Sequence, residues 1–153
     1  MTGKARFFGA VLVVVLAPGC GRPSGAALPP APATIAVTMA EYRFVTKPFV
    51  TAGRVQFRVK NHGRIPHQVD LVRLPDDLVP GGLDAQLRSA KRRPVNLVSS
   101  VAAERPGEAT VFAADLVPGR YGLVCFLTDA DGVTHARKGM SAELEANESG
   151  RPG

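Results

Sequence analysis

Beyond residue 34, hydrophobic side chains recur at every second position, in short runs broken by turns. The clearest run is Gly53–Lys60, where Val55, Phe57 and Val59 alternate with Arg54, Gln56, Arg58 and Lys60. A period of two puts the apolar set on one face of a half-buried antiparallel strand. Ile35–Met39 alternates too, Tyr42–Val45 follows it, and His67–Leu74 sets Val69 and Leu71 against Gln68 and Asp70. Val95–Val101, Glu108–Ala114, Tyr121–Leu127 and Met140–Ala146 complete the series. Asn61-His62-Gly63, Pro106-Gly107 and Val117-Pro118-Gly119 supply turn chemistry between runs. One stretch departs from the pattern: Leu83, Leu87 and Ala90 stand at helical spacing between Pro80-Gly81-Gly82 and the sequence KRRP. The spacing predicts a short helix over about 83–93, inserted between strands. Seven or eight short strands punctuated by turns predict an all-β Greek-key sandwich or small barrel.

The N-terminal segment follows a different rule. Lys4 and Arg6 precede an apolar run, Phe7–Ala17, of secretory-signal length and too short to span a bilayer. The run stops at Ala17-Pro18-Gly19-Cys20, which resembles a bacterial lipobox, with the unusual feature of Pro18 just inside the cut. The resemblance implies that Cys20 becomes the lipid-bearing first residue; the alternative is an ordinary cleaved signal with a coincidental cysteine. Arg22–Ala33 is rich in Pro, Ala and Gly without an apolar period and reads as a stiff tether. The expected organisation is a signal over 1–19, a tether over 20–33, a folded domain over 34–146 and a polar tail over 147–153. Such a protein would be exported and held outside the cytoplasmic membrane.

Length and charge narrow the classes. A chain of 153 residues supports one domain with a real core but not comfortably two. The net charge of +6 falls to +4 when Lys4 and Arg6 are removed with the signal. That mild excess suits an acidic protein partner or an anionic membrane surface and does not point to nucleic acid. Arg88, Lys91, Arg92 and Arg93 concentrate it near the predicted helix end, where they either meet a partner or form a solvated face.

Cys20 and Cys125 are the only cysteines. Acylation of Cys20 leaves Cys125 alone in an oxidising compartment, a liability unless that thiol is buried or ligated. Alternation aligns Cys125 with Tyr121 and Leu123, which permits plain burial. The stretch Tyr121–Met140 also carries His135 and Met140, and thiolate, imidazole and thioether together suit copper or zinc. A second imidazole is available at His67, on the margin of a loop between two strands; His62 is a spare in a turn. Each has a bland reading as loop or core, and four ligand-type residues at strand ends favour a metal site.

The Pro-Gly-x-Tyr of residues 118–121 followed by Cys125, His135 and Met140, with Asn61-x-Gly63 and Pro66-His67 upstream, resembles a cupredoxin from about Ala33 to Ala146. The resemblance implies a Greek-key sandwich holding copper through His67, Cys125, His135 and an axial Met140, with His135 nearest the surface. Nine residues separate Cys125 from His135. Plastocyanin-like and azurin-like members keep fewer, and the longer loop resembles that of the type 1 copper domain of copper nitrite reductases. Val124 replaces the histidine that in those enzymes binds a second copper, so the catalytic centre is not implied. Gln68 stands where an Asn commonly ties the ligand loops together.

The expectation is a monomeric, membrane-tethered cupredoxin-like protein that carries one electron to or from an acidic partner protein. A copper delivery or buffering protein and a metal-free interaction module are the other readings. No Ser/His/Asp set, convergent carboxylate pair or phosphate-binding glycine loop argues for an enzyme.

Overall fold

A computed structural model of the chain describes residues 31–89 and 96–152. The leader, Cys20, nearly all of the tether and the basic residues Lys91, Arg92 and Arg93 lie outside them. Among the described residues, nine strands build two sheets that face each other. The first has the order β2 (Arg43–Val45), β1 (Ala33–Ala40), β4 (Gly53–Asn61), β7 (Ala109–Leu116). The second has the order β3 (Phe49–Thr51), β9 (Ser141–Asn147), β8 (Gly119–Val124), β5 (His67–Arg73), β6 (Leu97–Glu104). Pairing is antiparallel except for β1 with β4 and β3 with β9. The chain crosses between sheets after β2, β3, β4, β6 and β7, and β8 returns beside β5. That return makes β5–β8 a Greek key. It brings the start of β5 next to the end of β8, where candidate ligands stand.

The strand predicted from the cleanest alternation is central. On β4, Val55, Phe57 and Val59 are fully buried against Ile35, Val37 and Met39 of β1 and against Val69, Leu71 and Leu123 of the other sheet. Three departures from the sequence expectation have physical causes. The short strand β3 brings the count to nine among the described residues; with Val50 its only buried residue and Pro48 before it, β3 carries no period to read. Strand β5 does not alternate, because Val72 and Asp70 are buried as well as Val69 and Leu71. Helix α1 (Leu83–Ser89) covers its outer side, packing Leu83 and Leu87 on Val72, Leu74, Val124 and Phe126 as a second apolar cluster. A strand covered on both faces reads as a continuous apolar run. Finally, β8 ends at Val124, so Cys125 is the first residue beyond the strand.

Burying a Leu or Val side chain contributes about 1.5–3 kcal/mol. The two clusters meet across β5 and β8, the strands that lead into the candidate ligands. Among the described residues no helix is long and apolar enough to cross a membrane.

Candidate metal centre

His67 opens β5, and its entry into that strand is fixed from β4. Asn61, the last residue of β4, is fully buried and donates from Nδ2 to the carbonyls of Ile65 (2.9 Å) and Glu104 (2.8 Å). Its Oδ1 accepts the Gly63 N–H at 2.8 Å. One side chain thus closes the 62–66 loop and ties it to β6, which sets the approach of His67. Gly63 is tightly enclosed: a Cβ there would lie 3.0 Å from Glu41 Oε1 and from His67 Nε2 and 3.1 Å from Asn61 Oδ1, so a neighbour would have to give way. Gly63→Ala is expected to displace the His67 ring, visible as shifted His67 ring resonances in the metal-free protein; unchanged resonances would mean the loop yields instead.

The other donors come from the chain after β8. The nine-residue interval folds into a small hairpin whose arms meet at Thr128 and Thr134. His135 N–H then bonds to Leu127 O (2.8 Å), and Ala136 N–H returns to Cys125 O (2.8 Å). A 3-10 turn over His135–Lys138 is capped by the Thr134 hydroxyl, which accepts Arg137 N–H at 3.3 Å. Gly139, with φ at 105°, ends it in the left-handed region that a side chain disfavours. Met140 follows, donating N–H to His135 O (2.9 Å) while its own carbonyl accepts Cys125 N–H (3.2 Å). The extra loop length is absorbed locally, so His135 stands beside Cys125 despite the separation in sequence.

His67, Cys125 and His135 converge. Their donor atoms all lie within 4.8 Å of one another. His135 Nδ1 is 3.2 Å from His67 Nδ1 and 3.3 Å from Cys125 Sγ. All three residues are buried, as is Met140, whose side chain belongs to the same apolar cluster as Cys125. Donors bound to one ion at about 2.0–2.3 Å stand roughly 3–4 Å apart, so the observed spacing fits a shared metal. Cys125 Sγ also accepts the Gln68 N–H at 3.5 Å. Burial pushes the thiol pKa up. Burial first, and His135 second, push that of His67 down. His67 Nε2 is buried without a hydrogen-bond partner. His62, the spare, is not among the converging donors.

Two residues act here that sequence reasoning did not assign. Gln68 does not tie the ligand loops with its side chain, which turns to Asp70 (Nε2 to Oδ2, 2.6 Å), and Asn61 instead ties the loop before His67 to β6. Asp129, expected only as part of a chain-reversing turn, places Oδ1 2.9 Å from His135 Nε2. Its Oδ2 accepts from Tyr42 OH (2.5 Å) and Lys138 Nζ (2.5 Å). These partners, Lys138 foremost, hold the Asp129 carboxyl well below the usual carboxylate range. His135 is 2% exposed, against 0% for His67, Cys125 and Met140. It lines a shallow depression with Ile65, Pro66, Ala103 and Leu127.

No family model matches the chain, and no curated protein matches it. Solved structures do. Reduced auracyanin from the photosynthetic bacterium Roseiflexus castenholzii is 19% identical with a TM-score of 0.54, over 76% of this chain and 98% of that one. Auracyanin A from Chloroflexus aurantiacus, described as a "blue" copper protein, is 19% identical with a TM-score of 0.51, over 76% of this chain and 100% of that one. An azurin from Methylomonas sp. strain J is 12% identical with a TM-score of 0.50, over 77% of this chain and 100% of that one. At such identities the likeness establishes architecture: the chain has the cupredoxin fold.

Proposed function

We propose that this protein binds one copper ion through His67, Cys125, His135 and Met140 and carries a single electron between partner proteins. The observation that supports this reading is the convergence of three buried soft or borderline donors at one end of a rigid sandwich. Bound copper supplies a one-electron couple. The chain's own residues do the rest. Asn61 and the two sheets hold His67, while the hairpin and 3-10 turn hold His135 and Cys125 in fixed relation. Fixed donors keep reorganisation small when the electron arrives or leaves, and the apolar surround of Leu123, Met140 and Val69 excludes water from the thiol.

Copper delivery or buffering is less well supported, because exchange needs an accessible donor and none of the three is exposed. A metal-free module leaves two imidazoles and a thiol buried together with one ring nitrogen unpaired, at a cost of about 1–3 kcal/mol for that nitrogen alone. The proposal includes export, acylation of Cys20 as the membrane anchor and an acidic redox partner meeting the Arg88–Arg93 region. Support for these comes from Lys4, Arg6, the apolar run Phe7–Ala17 and the basic residues of that region.

The test is a copper titration of the purified protein followed by visible absorption and electron paramagnetic resonance. One equivalent of Cu(II) giving an intense thiolate charge-transfer band is the expected result. Colourless, rapidly exchanging Cu(I) would move the function to copper handling. A folded protein that takes neither ion would end the proposal.

A further inference from the structure

The two imidazoles of the cluster are held by different means. His67 is fixed by packing and by the Asn61 clamp, and its outer nitrogen has no partner. His135 sits at the root of a hairpin, outside the sheets, where packing alone constrains a ring less. We infer that Asp129 is the positioning residue of His135, fixing which ring nitrogen carries the proton and presenting a bare Nδ1 to the cluster; the inference rests on the copper reading above.

The argument is one of hydrogen-bond valence. An ionised carboxylate only accepts, so the 2.9 Å contact of Asp129 Oδ1 with His135 Nε2 requires the proton on Nε2. A neutral imidazole carries one N–H, and Nδ1 is then a lone pair. That lone pair faces His67 Nδ1 at 3.2 Å and Cys125 Sγ at 3.3 Å. The opposite tautomer would put a hydrogen into the space an ion must share and leave two acceptors, Nε2 and Oδ1, in repulsive contact.

Asp129 is itself held from three sides. Tyr42 OH and Lys138 Nζ both donate to Oδ2, leaving Oδ1 for the histidine. Lys138 also reaches Asp131 at 2.7 Å, and its ammonium lies 5.0 Å from the centre of the Tyr42 ring. The Tyr42 ring stands edge-on to His135, 5.3 Å between centroids. Among the described non-glycine residues Tyr42 alone has a positive φ, 56°, so the turn after β1 accepts strain in the conformation that delivers this ring. Three segments, the 41–42 turn, the 128–134 hairpin and the 3-10 turn, therefore converge on one carboxylate. A carboxylate bonded to the outer nitrogen of a ligand histidine sets ring orientation and raises ring basicity, an arrangement whose loss typically costs about 10–100-fold in metal affinity.

The test compares the unmodified protein with Asp129→Ala and with Asp129→Asn, which keeps an acceptor and removes the charge. Nitrogen-15 NMR of the metal-free chain is expected to show His135 as the Nε2–H tautomer, and Asp129→Ala to convert it to a mixture. Titration with Cu(I) from a competing chelator is expected to show a loss of about 10–100-fold in the alanine variant and less in the asparagine variant. The reduction potential should rise in both, because the lost carboxylate favours the more highly charged oxidised ion. An alanine variant with its tautomer and its affinity unchanged would overturn the inference. If that variant does not fold, Asp129→Asn decides through the potential, and no shift overturns the idea. If even the unmodified protein takes no copper, the copper reading falls, and the tautomer measurement alone decides for or against Asp129.

Discussion

Cys125→Ser is expected to abolish the visible charge-transfer band and to lower copper affinity by more than about a hundredfold, the upper range for losing a residue that merely supports a ligand. The reason lies in what the cluster contains. An imidazole binds a metal as a neutral donor, and the sulfur is the only member of the converging set that can become an anion. Burial pushes the Cys125 thiol pKa up, so at neutral pH the metal-free protein holds S–H, and an ion must displace that proton to bind. The sign of the pH dependence follows. Affinity rises with pH, by about tenfold per unit while the thiol remains protonated, because each ion taken up releases a proton. His67 adds none near neutrality, since its pKa is shifted down and the ring is already neutral there. Calorimetry in two buffers of different ionisation enthalpy should find about one proton released per ion, and none from any residual binding by the serine variant. A serine variant that keeps its affinity within a few-fold would reduce Cys125 to a core residue. The variant should also fold, at a cost of roughly 1–3 kcal/mol for a hydroxyl in a space shaped for sulfur.

What the sequence revealed of this site depended on how local each determinant is. The period of two on β4 is visible because one face meets the core and the other meets water. The side on which Cys125 lies could be read from Tyr121 and Leu123, since Cys125, one residue beyond β8, keeps their alternation and joins the same cluster. The turn chemistry of Asp129-Ala130-Asp131-Gly132 correctly implied a reversal, and the hairpin bridge Thr128–Thr134 is that reversal. The rest needed partners distant in sequence. Nothing in the run His67–Leu74 announces that a helix beginning at Leu83 covers its second face, so its alternation was misread. Asp129 looked like a turn residue because the contacts that give it another role come from Tyr42, 87 positions away, and from Lys138 beyond the hairpin. Asn61 looked like a strand terminator for the same reason: its second acceptor, Glu104, is 43 positions away. A buried Asn with an Asx-type bond to the residue two ahead was the one signal that could have been pursued.

Asn61→Ala is expected to be the most destabilising single change near the site that touches no ligand, by about 3 kcal/mol in the metal-free protein. Three polar groups depend on that side chain: the carbonyls of Ile65 and Glu104 and the N–H of Gly63. Asn61 is fully buried, so these groups would lose their partner where water does not readily replace it, at about 1–3 kcal/mol for each left unpaired. Relaxation of the 62–66 loop recovers part of this, which is why the full sum is not expected. Asn61→Asp separates chemistry from packing. It keeps the shape and the acceptor for Gly63 N–H, yet turns a second oxygen toward two carbonyl oxygens, and it should be at least as damaging as alanine. Because the clamp sets where His67 enters β5, copper affinity should fall in both variants although every donor is retained. Denaturant unfolding of the metal-free proteins, followed by chelator competition for Cu(I), measures the two effects separately. A loss below about 1 kcal/mol with unchanged affinity would show that β5 holds His67 without the clamp. A loss in stability with unchanged affinity would make Asn61 a fold residue only, and place the whole burden of orienting the first histidine on the packing of the two sheets.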